Sequence, residues 1–203
     1  MSGLEPAFLA AREEGDQLSL RDFDREEGAG LDAADLTLRQ VRFVRCRFTD
    51  CDFSGTAFYG CLFEDCAFSG CRFSSSFWKD SALSRCKAEG ADFRRARFKN
   101  CAWKGLRLRW ANFTGALWER CAVEDCDLTE SACQELRVVK TTLKNAALTG
   151  SDLFRAELNG TDLSTCILDG VALSASCREL KGAKIHASQA ALVARILGIE
   201  VIE

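Results

Sequence analysis

From Leu38 to Leu173, every fifth residue is apolar. The run reads Leu38, Phe43, Phe48, Phe53, Phe58, Phe63, Phe68, Phe73, Trp78, Leu83 and onward. Its 28 positions carry eleven Leu, ten Phe, three Trp, two Val, Ala88 and Cys133. In a chain that is 47% apolar, chance would give such a run about once in 10⁹. With this position called i, position i−2 is nearly as restricted: ten Cys, six Ala, four Ser, three Thr, two Val and three Leu. The inward set is therefore spaced by two, then three, then two again.

That spacing excludes continuous regular elements. On an α-helix a five-residue step turns roughly 500° and scatters the set around the axis. In an unbroken strand the same step reverses face each time. Two is the strand period, so i−2 and i share a face across a short extended piece. The three-residue gap needs a corner. Position i+2 supplies it: Gly55, Gly60, Gly70, Gly90, Gly105, Gly115, Gly150, Gly160 and Gly170 hold nine of the fifteen glycines in that one phase. A β-turn from i to i+3 puts i+2 third, where a type II turn wants positive φ. Each repeat is thus a short strand plus a bend. Stacked turns set the strands ~4.8 Å apart with hydrogen bonds along the axis.

Twelve cysteines first suggest disulfides or zinc. Cys46, Cys51, Cys61, Cys66, Cys71, Cys86, Cys101, Cys121, Cys126 and Cys166 instead all fall at i−2. There is no CxxC pair and His186 is the one histidine, so no metal is expected. The cysteines read as small buried hydrophobes in a reducing compartment.

At this point the segments Ala91-Asp92-Phe93, Ala111-Asn112-Phe113-Thr114-Gly115, Ser151-Asp152-Leu153 and Thr161-Asp162-Leu163 show an A(D/N)LxG pattern. It resembles the pentapeptide-repeat family. The resemblance implies an all-β fold: a right-handed quadrilateral parallel β-helix with about twenty residues per turn. Residues 36–175 then make about seven turns, ~33 Å long at strand spacing.

The ends depart from the phase. Residues 1–35 carry ten acids against three arginines and read as an acidic N-terminal cap or irregular segment. Leu18 and Phe23 remain on phase, so the coil can begin early. A short helix fits Ala7–Glu14, and Gly28 and Gly30 mark a loop. In residues 176–203 the period changes. Ser188 is a candidate N-cap, Leu192, Val193, Ile196 and Leu197 form an apolar face, and Gly198 ends a short C-terminal helix. Ile199, Val201 and Ile202 then read as a short strand. The elements Gly182, Lys184, Ile185, Gln189, Ala190, Leu192, Leu197, Gly198, Ile199, Val201 and Ile202 resemble the C-terminal module of the Qnr-type quinolone-resistance proteins. That resemblance implies a homodimer formed tail to tail, with Leu192, Val193, Ile196, Leu197, Ile199, Val201 and Ile202 as its interface. It also implies a type II topoisomerase (DNA gyrase or topoisomerase IV) as partner, bound by a rod that mimics DNA and shields the enzyme from drugs.

Charge bears on that expectation. DNA mimicry needs negative charge where DNA carries phosphate. Residues 36–110 contain fifteen basic and seven acidic side chains, while residues 111–175 contain five and ten. The rod is therefore not uniformly acidic. Glu119, Glu124, Asp125, Asp127, Glu130 and Glu135 form the candidate partner-binding acidic surface; the alternative is that they are solvated corners. Ser131–Lys140, with Cys133 and Val138 at i and Leu136 at i−2, is the weakest stretch of the repeat; coil is the expectation and a bulge the alternative. Arg94, Arg95, Arg97, Lys99, Lys104, Arg107 and Arg109 beside Trp110 raise nucleic-acid binding as a rival. The acidic N-terminal segment and the net charge of −3 disfavour it.

Enzyme motifs are missing: GxSxG, GxxxxGK(S/T), HExxH and GxGxxG do not occur. A filled coil also leaves no pocket. The expectation is a non-catalytic protein without cofactor. No apolar run reaches the ~18 residues of a membrane span, and no secretory signal opens the chain, which points to the cytoplasm. His186 is expected to cap or face solvent. Two functions stand: a Qnr-like topoisomerase-binding dimer, and an interaction scaffold with an unrelated partner.

Overall fold

The computed structural model describes residues 3–202. It is a right-handed, four-sided parallel β-solenoid closed by a helix at each end. The first side stacks seven strands: Gln17–Ser19, Thr37–Arg39, Ala57–Tyr59, Phe77–Lys79, Arg97–Lys99, Leu117–Glu119 and Arg137–Val139. The second also stacks seven: Asp22–Asp24, Arg42–Val44, Leu62–Glu64, Ala82–Ser84, Ala102–Lys104, Ala122–Glu124 and Thr142–Lys144. The third begins as strands Glu27–Ala29, Arg47–Thr49 and Ala67–Ser69 and continues as single bridges from Lys87 to Ile167. The fourth is bridges alone, from Asp32 to Ala172. Pairing is parallel and in register, as in Leu38↔Phe58 and Trp78↔Phe98, so residues twenty apart lie one above the other.

The corners carry out the expected turn. Thr56 N–H donates to the Phe53 carbonyl at 3.2 Å, with Gly55 between them at φ +69°. Glycine is not obligatory, however. Gln40, Asp65, Asn100 and Trp110 hold the same corner at φ of 52–58°. The ladder over-determines their backbone: the Gln40 N–H, for one, donates to the Tyr59 carbonyl of the next rung at 2.8 Å. The recurrent Asp or Asn at i−1 also has a cause. Its Oδ1 accepts the N–H two residues on, as Asp52 does from Ser54 at 2.9 Å and Asn112 from Thr114 at 3.0 Å.

Inside, large i side chains stack in columns. Phe53, Phe73, Phe93 and Phe113 lie ring on ring at 4.9–5.0 Å, and Phe58 covers Trp78 at 3.8 Å. The i−2 residues line the corners and do more than fill space. Cys66 Sγ donates to the Phe43 carbonyl at 3.4 Å, and Thr141 Oγ1 to the Trp118 carbonyl at 3.1 Å. A small side chain with a weak or moderate donor suits this position, which explains the interchange of Cys, Ser and Thr. All twelve cysteines are buried free thiols, and burial pushes those of Cys126 and Cys133 up to about 11 and about 12.

At the N-terminus the ladder starts at Gln17, roughly one 20-residue turn before residue 36, as Leu18 and Phe23 on phase allow. Gly28 and Gly30 do not mark a loop: Gly28 is an inward strand position paired with Phe48. The missing side chain is what hides the phase. α1 (Leu4–Glu13) folds over the open end and fills the gap with Leu4, while Phe8 packs edge-on to Phe53 at 6.3 Å. A Cβ on Gly28 would lie 2.4 Å from Leu31 Cδ1. The weak stretch 131–140 is coil: Arg137–Val139 is a ladder strand, and Cys133, Leu136 and Val138 are buried.

Candidate interaction surfaces

After Leu173 the phase slips by two residues, because Asp162 pairs with Lys184 rather than with a residue twenty on. A one-turn 3₁₀ helix, Arg178–Leu180, takes up the slip. Glu179 clasps it to the coil. Its carboxylate, 2% exposed, accepts the Arg155 N–H at 2.9 Å, the Ser174 N–H at 3.2 Å and the Ser174 hydroxyl at 2.8 Å. Burial alone would raise its pKa; the hydrogen bonds to the ionised form outweigh it, and the carboxyl titrates below its usual value. Gly182 then turns at φ +77° against Asn159, whose Oδ1 would lie 2.6 Å from any Cβ there.

α2 (Ala187–Ile196) follows. Its cap is His186 and not Ser188, the candidate that residue type alone suggests. His186 Nδ1 accepts the Ser188 N–H at 3.2 Å, and Gln189 Oε1 accepts the His186 N–H at 2.6 Å. Imidazole is an uncommon cap, and the serine nearby masks it in the sequence. Gln189 also anchors the helix. Its Nε2 donates to the Leu163 and Cys166 carbonyls at 3.0 and 2.6 Å, which ties α2 to the last corner.

The apolar residues of this module divide. Leu192 packs on the core cluster, together with Leu173, Leu180, Ala183 and Ile185. Val193 and Ile196 are half-buried. Leu197, Ile199, Val201 and Ile202 are 47, 55, 40 and 88% exposed. The last three form no strand: residues 199–202 carry no regular secondary structure, and the Ile199 N–H donates to the Ala194 carbonyl at 2.8 Å.

The six acidic residues do not share a face. Glu119 is on the first side, Glu124 on the second, Asp127 on the third, and Asp125, Glu130 and Glu135 hold three corners between sides. They form a belt around the coil. Each also has a partner one rung away or adjacent in sequence. Lys144 reaches Glu124 at 2.9 Å, Arg120 Glu119 at 2.8 Å, Arg109 Asp127 at 3.9 Å and Arg155 Glu135 at 3.7 Å. Glu130 accepts from Trp110 Nε1 at 2.7 Å, and Asp125 from Asn145 at 2.9 Å. The basic run 94–109 is wound around the coil in the same way. The acids of residues 16–35 belong to the first turn, where Asp24 holds Arg45 at 2.6 Å.

Among the described residues no three His, Cys, Asp or Glu side chains converge as a metal site, and no helix is long and apolar enough to cross a membrane.

Two family models match the chain: "Pentapeptide repeat region" over residues 60–133 and "Pentapeptide repeats (8 copies)" over 30–65 and 139–170. No curated protein matches it. Among solved structures, it is similar to a trypsin-treated form of QnrB1, described as a plasmid-mediated fluoroquinolone resistance protein. That match has 25% identity and a TM-score of 0.38, over 92% of this chain and 97% of the other. It is also similar to HetL of the cyanobacterium Nostoc, with 13% identity and a TM-score of 0.36 over 92% and 98%. A thylakoid-lumen pentapeptide repeat protein of Arabidopsis thaliana matches at 20% identity and a TM-score of 0.38, over 61% and 84%.

Proposed function

The chain belongs to the pentapeptide-repeat family, and on that premise we propose that it is a non-catalytic, rod-shaped homodimer that binds a type II topoisomerase and protects it from inhibitors. The observation that carries this reading is the C-terminal module. Four large apolar side chains stand exposed together at the end of the coil, next to strand edges that need covering, whereas the coil's own exposed large apolar residues, Leu20, Trp110, Val139, Phe154 and Ile167, sit in separate repeats. Two copies meeting through Leu197, Ile199, Val201 and Ile202 hide both. The turn with Gly182, Lys184 and Ile185, α2, and the Leu197-Gly198-Ile199 segment after it, which carry the likeness to the Qnr-type module, shape that end. The joined rod has its acidic belts inward of its basic halves, an arrangement suited to a basic enzyme surface near the centre.

A second reading has its own support. The acidic side chains encircle the coil and are largely paired, and the register from Gln17 to Ala172 leaves no projecting loop. Both features suit a scaffold with an unrelated protein partner.

The deciding experiment is gyrase supercoiling in the presence of a fluoroquinolone, with this protein titrated in and its mass measured in parallel by sedimentation. Restored supercoiling by a dimer supports the first reading. A dimer that neither protects nor inhibits leaves the scaffold; a monomer removes the rod on which protection depends.

A further inference from the structure

Outside the belt and the C-terminal module, one side of the coil has an uncommon outer surface. On the first side, Arg39, Tyr59, Lys79 and Lys99 follow one another along a single outward row, each in register with the next. In the parallel row Phe77 is followed by Arg97. Tyr59 and Phe77 meet edge-on at 5.7 Å, both half-buried, and the Arg39 guanidinium lies 4.3 Å over the tyrosine ring. Four cations thus frame two aromatic rings on one sheet.

These cations are poorly neutralised. Among the described residues Arg39 and Arg97 have no ion pair, and Lys79 and Lys99 reach Asp80 and Glu119 only at 4.0 and 3.7 Å. On the second side and its corner, by contrast, Arg85 is locked to Glu64 and Asp65 at 2.6 and 2.7 Å, and Arg45 to Asp24 at 2.6 Å. Arg39 and Arg97, without ion pairs, keep their charge available to an anion, while Lys79 and Lys99 are held only by these longer contacts.

We propose that this first-side surface binds a short stretch of single-stranded nucleic acid, with Tyr59 and Phe77 against bases and Arg39, Lys79, Arg97 and Lys99 along the phosphates. Arg39 to Lys99 spans three rungs, about 14 Å at strand spacing. Sheets that read RNA stack two or three bases on neighbouring outward aromatics over a comparable area. An acidic protein segment would use the cations but has no use for the paired rings, which is why nucleic acid is the better fit. The acidic N-terminal segment does not cover the site: its acids from Asp16 to Asp35 lie in the first turn, and Glu5, Glu13 and Glu14 lie on or at the end of α1, which seals the coil end.

The test is fluorescence anisotropy of a labelled ~12-nucleotide single strand with the full chain at about 50 mM salt. Binding that weakens with salt is expected. Tyr59→Leu or Phe77→Leu should weaken it at least about fivefold, while Tyr59→Phe retains it. Both rings lie outside the core, so the leucine variants should still melt cooperatively, which separates loss of binding from loss of the fold. Lys79→Gln with Lys99→Gln should flatten the salt dependence, and Arg45→Gln should change nothing. The proposal is overturned by no binding at tens of micromolar, by leucine variants that bind like the parent, or by equal competition from duplex DNA or poly-glutamate.

Discussion

Phe93 in the coil is 4% exposed, with the rings of Phe73 and Phe113 each 4.9 Å away. Leu197, just past the end of α2, is 47% exposed and has no place in the core cluster. Both are large apolar residues in repeating or near-repeating patterns, yet one is consumed by its own chain and the other is left over. A solenoid explains the difference. Each rung buries its interior against the rungs above and below, so only the terminal rungs need something else. At the N-terminus α1 closes that gap within the chain, through Leu4, Phe8 and Ala11. At the C-terminus α2 spends Leu192 on the gap and presents the rest outward.

The largest expected effect breaks the comparison from the coil side. Phe93→Asp should cost at least ~3–5 kcal/mol and abolish the cooperative melt followed by circular dichroism, because an unpaired charge would sit between rings. Next is the joint between coil and module. Glu179→Gln should cost ~1–3 kcal/mol at pH 7, because an amide cannot accept all three donors as the carboxylate does. The sign follows from the depressed pKa of the folded state. The contribution is present above the unfolded value of about 4.3 and is lost as pH falls through the folded value. Melting of the two proteins should therefore converge below about pH 4; a difference undiminished at pH 3 would contradict an ionised clasp.

A smaller effect sharpens the account of the interior. Trp78 Nε1 donates to Ser76 Oγ at 2.9 Å, but Trp118 Nε1, two rungs on, is buried with no partner, and Ala116 stands where Ser76 does. Ala116→Ser should stabilise by about 1 kcal/mol, read as a raised denaturation midpoint. The smallest effect on stability is expected at the other end of the comparison. Leu197→Asp should leave the melt of the coil within about 0.5 kcal/mol, while sedimentation should report loss of the proposed dimer. If it unfolded the chain as Phe93→Asp does, the division between coil and module would not stand.

The repeat was readable because a solenoid interior is nearly one-dimensional. Position i from Leu38 to Leu168 is buried at every step, so a count of five along the chain is a map of the core. Legibility ended where another element substitutes for the repeat. Gly28 is inward without a side chain, and only the packing of Leu4 shows why the coil reaches Gln17. It ended again at His186, whose capping nitrogen is recognised by its distance to Ser188 N rather than by residue type.

Surface chemistry was the least legible part, for a geometric reason. Each five-residue step turns the chain to a new side, so neighbours in sequence such as Glu119, Glu124 and Glu130 part, while Tyr59 and Phe77 come together. What the amino-acid sequence determined alone was the coil, its interior and the exception at its C-terminal end, because those depend on local periodicity and burial. Which charges are paired, which side carries free cations beside aromatic rings, and which apolar residues remain uncovered were decided by the tertiary structure. Those properties depend on contacts between residues about twenty apart, and only the stacking of one turn on the next creates them.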